Sequence, residues 1–250
     1  MNDGMKAGAI LAVAGAMLMA TLAFAAPNAQ QPALDKKAIE KIIHDYLLKH
    51  PEMLVEMSNA LDAKNAAETQ KNQQDALAKL GKGALLDPKV SYVSGPADAK
   101  VTLVEFFDYR CVHCKNSLPA MQKVVANNET RVVFIEHPIL TPDSLVAARA
   151  AVAARRQKDK YVPFHFALMQ TNGDLPLERI LQIAKDAGLN IDKLKKDMDD
   201  PAVAESVNAS GALAEKLHVD GTPTFIIGNK VVSGELTYDE MQKLINEAKS

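Results

Sequence analysis

The 250-residue chain carries 29 basic and 31 acidic residues, a net charge of -2, and 48% of it is hydrophobic. That composition is globular, too apolar for a disordered chain, and it lacks the run of basic charge that nucleic acid or an anionic membrane surface would attract, so neither is expected as a partner. The only two cysteines, Cys111 and Cys114, are three positions apart, and a bridge closing so short a loop gains little as a staple of the fold.

An uncharged run follows Lys6 from Ala7 to Ala26 and contains Ala23-Phe24-Ala25 just before Ala26-Pro27. Those are the n-region, h-region and A-x-A site of a secretory leader, and cleavage is expected after Ala25. The alternative is an uncleaved membrane anchor, for which the Ala and Gly content makes the run weakly hydrophobic. Export places the chain in an oxidising compartment, where nearby cysteines can cycle between dithiol and disulfide.

From Leu34 to Leu61 the apolar residues Ile39, Ile42, Ile43, Tyr46, Leu47, Met53, Leu54, Met57 and Leu61 recur at helical spacing, interrupted at His50-Pro51. Proline suits the first turn of a helix, so the pattern predicts two amphipathic helices joined at a bend. A polar stretch from Lys64 to Gln74 has little to bury, and Leu77 and Leu80 precede Gly81-Lys82-Gly83. Residues 26–83 are therefore read as an arm whose apolar face seeks either a second copy of the chain, through residues 34–80, or its own domain.

Beyond Asp87-Pro88 the pattern changes. Val101 to Phe107 and Arg131 to Glu136 are short apolar runs of the kind buried strands make, and a helix is expected between them from about Cys111 to Asn127. Strand, helix and strand suggest a parallel crossover. Helices are then predicted over Ser144–Gln157, Tyr161–Gln170, Leu177–Ala187, Ile191–Met198 and Ala202–Leu217. Thr224–Ile227 and Val231–Val232 flank Gly228-Asn229-Lys230 as a hairpin, and Tyr238–Ala248 closes the chain as a helix.

Cys111 stands where the first of these domain helices should begin. Unpaired N–H groups and the positive end of the helix dipole favour an anion there, so its thiol should ionise well below its free value and act as a nucleophile. His113, between the sulfurs, can add a donor or a positive charge, and Cys114 is placed to resolve a mixed disulfide. A zinc knuckle would need four ligands, and the remaining histidines show no paired spacing. Glu105 is a carboxylate within an apolar strand. Desolvation should raise its pKa enough to trade the proton of Cys114, unless the strand turns it to water. Tyr109, Arg110 and Lys115 flank the site.

FFDYRCVHC followed by GTPTF, Gly221 to Phe225, resembles the DsbA-like thiol-disulfide oxidoreductases of the thioredoxin superfamily. The arm, with its YLLKHPEMLVEM bend, resembles their oligomeric ScsC-like and DsbG-like periplasmic members. The likeness runs from about Ile39 to the C-terminus. It implies an α/β, thioredoxin-like fold with an inserted helical domain over about 140–215, an N-terminal oligomerisation arm making a dimer or trimer, and a periplasmic location. It implies a cis Thr222-Pro223 peptide beside Cys111, with the Thr222 backbone pairing to substrate, and a buried acid at Glu105. The cysteine pair then serves in place of a separate cofactor, and the partners are unfolded or misoxidised exported proteins and a membrane redox protein of the DsbB or DsbD type. The Val112-His113 dipeptide and Thr222 depart from the strongly oxidising DsbA pattern, which leaves oxidase and isomerase directions open. A copper-binding or holdase-type chaperone on the same fold stays as the rival reading.

Overall fold

The computed structural model describes residues 35–249, so the leader expected over residues 1–25 and the start of the arm lie outside the described residues. The chain divides into two compact units, Met1–Val55 and Glu56–Ser250.

In the first unit α1 spans Lys36–Lys49, with the Asp35 carboxylate accepting from the Ala38 N–H as its N-cap. The helix ends where the His50 N–H bonds to the Tyr46 carbonyl, and Pro51 follows just before α2, Glu52–Leu80. No residue of α1 is buried; Ile42, Ile43, Tyr46 and Leu48 are each more than half exposed. The bend predicted at His50-Pro51 is therefore present, with an apolar face open to water.

In the second unit α2 continues unbroken through the polar stretch. Its last turns have more to bury than the sequence suggested: Leu77 is buried, and the buried Gln73 amide donates to the His218 carbonyl at 2.8 Å. A 3-10 turn over Lys82–Leu86 leads to β1, Tyr92–Ser94, then β2, Thr102–Phe107, α3, Val112–Asn127, and β3, Arg131–Glu136. Five helices follow: α4, Pro142–Ala154; α5, Tyr161–Gln170; α6, Leu177–Asp186; α7, Ile191–Met198; and α8, Pro201–Lys216. The chain closes with β4, Thr224–Ile227, β5, Lys230–Ser233, and α9, Tyr238–Lys249.

The five strands form one sheet in the order β1-β3-β2-β4-β5. Only β2 and β3 run parallel, with Phe107 paired to Glu136 and Glu105 to Phe134. Side chains alternate faces along a strand, so Val104 and Phe106 join a core with Val133, Ile135, Leu213 and Leu77 on one face. Leu103, Phe107 and Phe134 join a larger core with α3, α4, α5 and α9 on the other. This is the α/β architecture the resemblance implied, with α4 to α8 as the inserted helical segment.

Two features that the sequence pattern did not suggest secure the frame. β1 is an antiparallel edge strand of three residues, followed by Gly95 at φ +90, where a Cβ would sit 2.5 Å from the Thr130 carbonyl oxygen. Only glycine fits there. Asp108, buried at the end of β2, accepts four hydrogen bonds: Oδ1 from the Arg110 N–H and the Ser144 hydroxyl, Oδ2 from the Ile139 and Leu140 N–H groups. This carboxylate ties the loop leading to α3 to the start of the helical segment, where Thr141 and Ser144 form a reciprocal cap on α4.

Replacing Asp108 with Ala would leave three part-buried backbone donors and the buried Ser144 hydroxyl without this acceptor. The expected loss of stability is about 1–3 kcal/mol, measured by denaturant unfolding; no measurable loss would show that water replaces the carboxylate.

Candidate active site

The last residues of β2 run through Asp108, Tyr109 and Arg110 directly into α3, and Cys111 is the N-cap of that helix. A sulfur stands where serine or aspartate usually caps. The Cys114 N–H points at the Cys111 Sγ at 3.4 Å, and the neutral thiol can in turn donate to the Thr222 carbonyl, 3.2 Å away. The Thr222-Pro223 peptide is cis. The structure thus brings Pro223 beside sulfurs that precede it by more than a hundred positions, the two sites being joined across the paired strands β2 and β4.

The two cysteines, both free and both buried, sit one turn apart in opposite electrostatic settings. Hydrogen bonding from the Cys114 thiol holds the Cys111 pKa down at about 5; the Thr222 side chain and the N–H groups of Cys114 and His113 act in the same sense, while burial opposes them. Cys114, inside the helix and 1% exposed, is pushed up, chiefly by burial and then by the bond it gives to Cys111 and the nearby Glu105. The pair is preset as one thiolate and one thiol.

Glu105 faces the core, not water: it is 2% exposed, and burial pushes its pKa up to about 8, with Cys111 and Glu136 adding repulsion. A carboxyl that titrates near neutrality below Cys114 suits a group that exchanges protons with it. His113 makes a different contribution from the one expected of its ring. Its backbone N–H helps the Cys111 sulfur, whereas its exposed imidazole Nδ1 lies 3.1 Å from the Glu235 carboxylate, which also accepts from Asn116. Arg110 binds the Gly173 carbonyl and Asp174. Lys115 donates to the Met169 and Thr171 carbonyls, and burial draws its pKa down to about 8. These two side chains anchor the head of α3 to the end of α5.

Sequence reasoning passed over a second buried acid, Glu136, at the end of β3. Its Oε1 accepts from the Tyr161 hydroxyl at 3.0 Å and from the Tyr109 hydroxyl at 3.4 Å, and burial pushes its pKa up to about 8. The signal was available: RVVFIE ends an apolar run on a carboxylate, the same argument that singled out Glu105.

Comparison with known proteins bears on the family and the fold that carry this site. Residues 87–247 match the thioredoxin family model, and residues 35–68 match the copper resistance protein ScsC N-terminal domain. A thioredoxin-like oxidoreductase from Silicibacter pomeroyi is 38% identical; the match covers 68% of this chain and 98% of that one, with a TM-score of 0.63. A linker-deletion variant of Proteus mirabilis ScsC is 25% identical over 88% of this chain and 98% of its own, with a TM-score of 0.65. Disulfide bond formation protein D of Bacillus subtilis is 29% identical over 167 residues, covering 62% of this chain and 75% of that protein. The chain spans only about a quarter of the length of other curated relatives, Na(+)/H(+) antiporters such as that of Herminiimonas arsenicoxydans, 30% identical over 156 residues.

Two measurements check the electrostatics. Thiolate absorbance of the reduced protein should titrate near pH 5 for Cys111, and a midpoint close to that of a free thiol would contradict the N-cap account. Glu105 has a folded pKa raised from 4.5, so its burial costs nothing at low pH and its full cost is felt only above about pH 8. Glu105→Gln should therefore gain stability relative to the native protein by about 4 kcal/mol at pH 9, with the gain fading below pH 5. A gain independent of pH would mean that Glu105 stays neutral, or stays charged, throughout.

Proposed function

Because the chain belongs to the thioredoxin family, we propose that it is an exported protein thiol-disulfide oxidoreductase, with Cys111 as nucleophile and Cys114 as resolving thiol. The observation that carries this reading is the opposite setting of two sulfurs one helical turn apart, one lowered to about 5 and the other raised. The Cys111 thiolate attacks a client disulfide, one client sulfur leaves, and a mixed disulfide forms. Cys114 then gives its proton to the Glu105 carboxylate and attacks the Cys111 sulfur. The bond between Cys111 and the client breaks, the client leaves with the electron pair as a dithiol, and the Cys111–Cys114 disulfide remains. Run backwards, the same steps oxidise a client. Thr222 and Pro223 border the reacting sulfur, where the Thr222 backbone is suited to pair with an extended client strand.

The leader expected from the sequence over residues 1–25 supports delivery to the periplasm. The exposed apolar face of α1 supports self-association through residues 34–80 into a dimer or trimer, which would hold a client between active sites and favour isomerase or mixed activity over oxidation alone. A membrane redox protein of the DsbB or DsbD type would reset the pair. The match of residues 35–68 to a copper resistance domain favours a second reading, in which the reduced pair carries Cu(I) as cargo between two soft thiolates.

Refolding of a scrambled multi-disulfide protein separates the readings. Catalysis should appear with the mature protein, vanish in Cys111→Ser, and fall to plain dithiol oxidation when residues 26–68 are removed, which leaves Gln73 and Leu77 in place. Full cellular function in Cys111→Ser would overturn the oxidoreductase and support a holdase; tight Cu(I) binding without refolding activity would support the cargo reading.

A further inference from the structure

Glu105, 2% exposed, and Cys114, 1% exposed, are both sealed from water, so a proton passed between them depends on the charges within the core. Glu105 and Phe107 lie on the same face of β2, and the parallel register sets Phe107 beside Glu136. Glu136 is therefore a diagonal neighbour of Glu105 on the same buried face, itself 1% exposed. Its surroundings differ from those of Glu105. Tyr109, from the loop before Cys111, and Tyr161, on α5, both donate to its Oε1. The Arg155 guanidinium, at the end of α4, stands over the Tyr161 ring with its three nitrogens buried. His165 on α5 shares the Tyr109 hydroxyl at 3.1 Å and is kept neutral by burial, Asp108 adds a negative charge nearby, and Tyr92 stacks on Tyr161.

We propose that Glu136 is a positioning residue of the exchange reaction, the carboxyl whose charge, where it forms beside Glu105, raises the proton affinity of the Glu105 carboxylate and so makes it a stronger base toward Cys114. Burial raises Glu136 as it raises Glu105, but the two tyrosine hydroxyls and the Arg155 cation work against that and favour its charged form, whereas no cation is among the groups acting on Glu105. The two carboxyls titrate as a coupled pair, both held up by burial, and repulsion from Glu136 is one of the causes that raise Glu105. The inference rests on the reading of Cys114 as the resolving thiol and Glu105 as its base.

The test is the pH dependence of mixed-disulfide resolution. Cys111 is first loaded with a model thiol, and its release by Cys114 is followed by stopped flow between pH 5 and 10. Native protein should show a midpoint set by Glu105, raised above an ordinary carboxylate by burial and by Glu136 and lying below the value of about 8 that holds with the Cys111 thiolate present. Glu136→Gln should move that midpoint down by about one pH unit, as expected for loss of a charge at diagonal-neighbour distance. Tyr161→Phe, which removes a bond favouring the charged form of Glu136, should move it the same way by less, while the Cys111 thiolate titration stays in place in both. A purely structural role for Glu136 would change the rate and leave the midpoint fixed, and that result in folded Glu136→Gln overturns the proposal. Should that variant fail to fold, an unmoved midpoint in Tyr161→Phe overturns it instead. Native protein lacking any midpoint in this range, or releasing the thiol equally well in Cys114→Ser, would remove the underlying base assignment rather than the role of Glu136 alone.

Discussion

A sulfur anion at the head of a helix governs the rest of this structure. Cys111 occupies the capping position of α3, where the Cys114 thiol one turn on, and after it the unpartnered backbone N–H groups of the first turn, hydrogen-bond its sulfur, so the helix supplies through geometry what a cation would otherwise supply through charge. The same helix gives Cys114 the opposite environment merely by carrying it one turn inward, into the core. Two identical side chains acquire different chemistry from a displacement of three residues. The topology serves this arrangement: β2 must end immediately before α3 begins, and β4 must run antiparallel beside β2 so that Thr222 and Pro223 arrive at the sulfurs.

The cost of the arrangement appears among the buried acids. Three carboxylates lie in the region, and they are treated differently. Asp108 is matched by four donors, so its charge strengthens the loop that presents Cys111. Glu105 and Glu136 are held in apolar surroundings that push both pKa values up, and a core designed for stability alone would carry no such pair. Local departures of this kind mark where a fold has been shaped by a reaction. The exposed arm departs in another way: α1 displays isoleucines and leucines to water that a free helix would not keep.

Much of this was legible in the sequence because the signals were local. Strand β3 and helices α5 and α7 fall where the apolar periodicity places them, and the start of α3 at Cys111 follows from the strand before it. β1 was not legible, since three residues show no alternation and its pairing with β3 is set by a distant register. The single helix α2 hid behind its polar stretch, because the partner that buries Gln73 is His218, 145 positions away. The pairing of the His113 ring with Glu235 and the convergence of Tyr109, Tyr161 and His165 around Glu136 are likewise contacts between separate elements. Residue type announced that an acid was buried at Glu105. Only the register revealed that a second one stood diagonal to it.

The most direct test of one thiolate beside one thiol is the reduction potential of the Cys111–Cys114 pair as a function of pH, measured in Glu105→Gln so that this carboxyl takes up no proton on reduction. If reduced Cys111 is ionised above about pH 5 while Cys114 keeps its proton, reduction takes up two electrons and one proton, and the potential should fall by about 30 mV per pH unit between pH 6 and 7.5. A slope of about 60 mV per pH unit over that range would mean that both sulfurs are protonated on reduction, and the helix would then not be holding a sulfur anion.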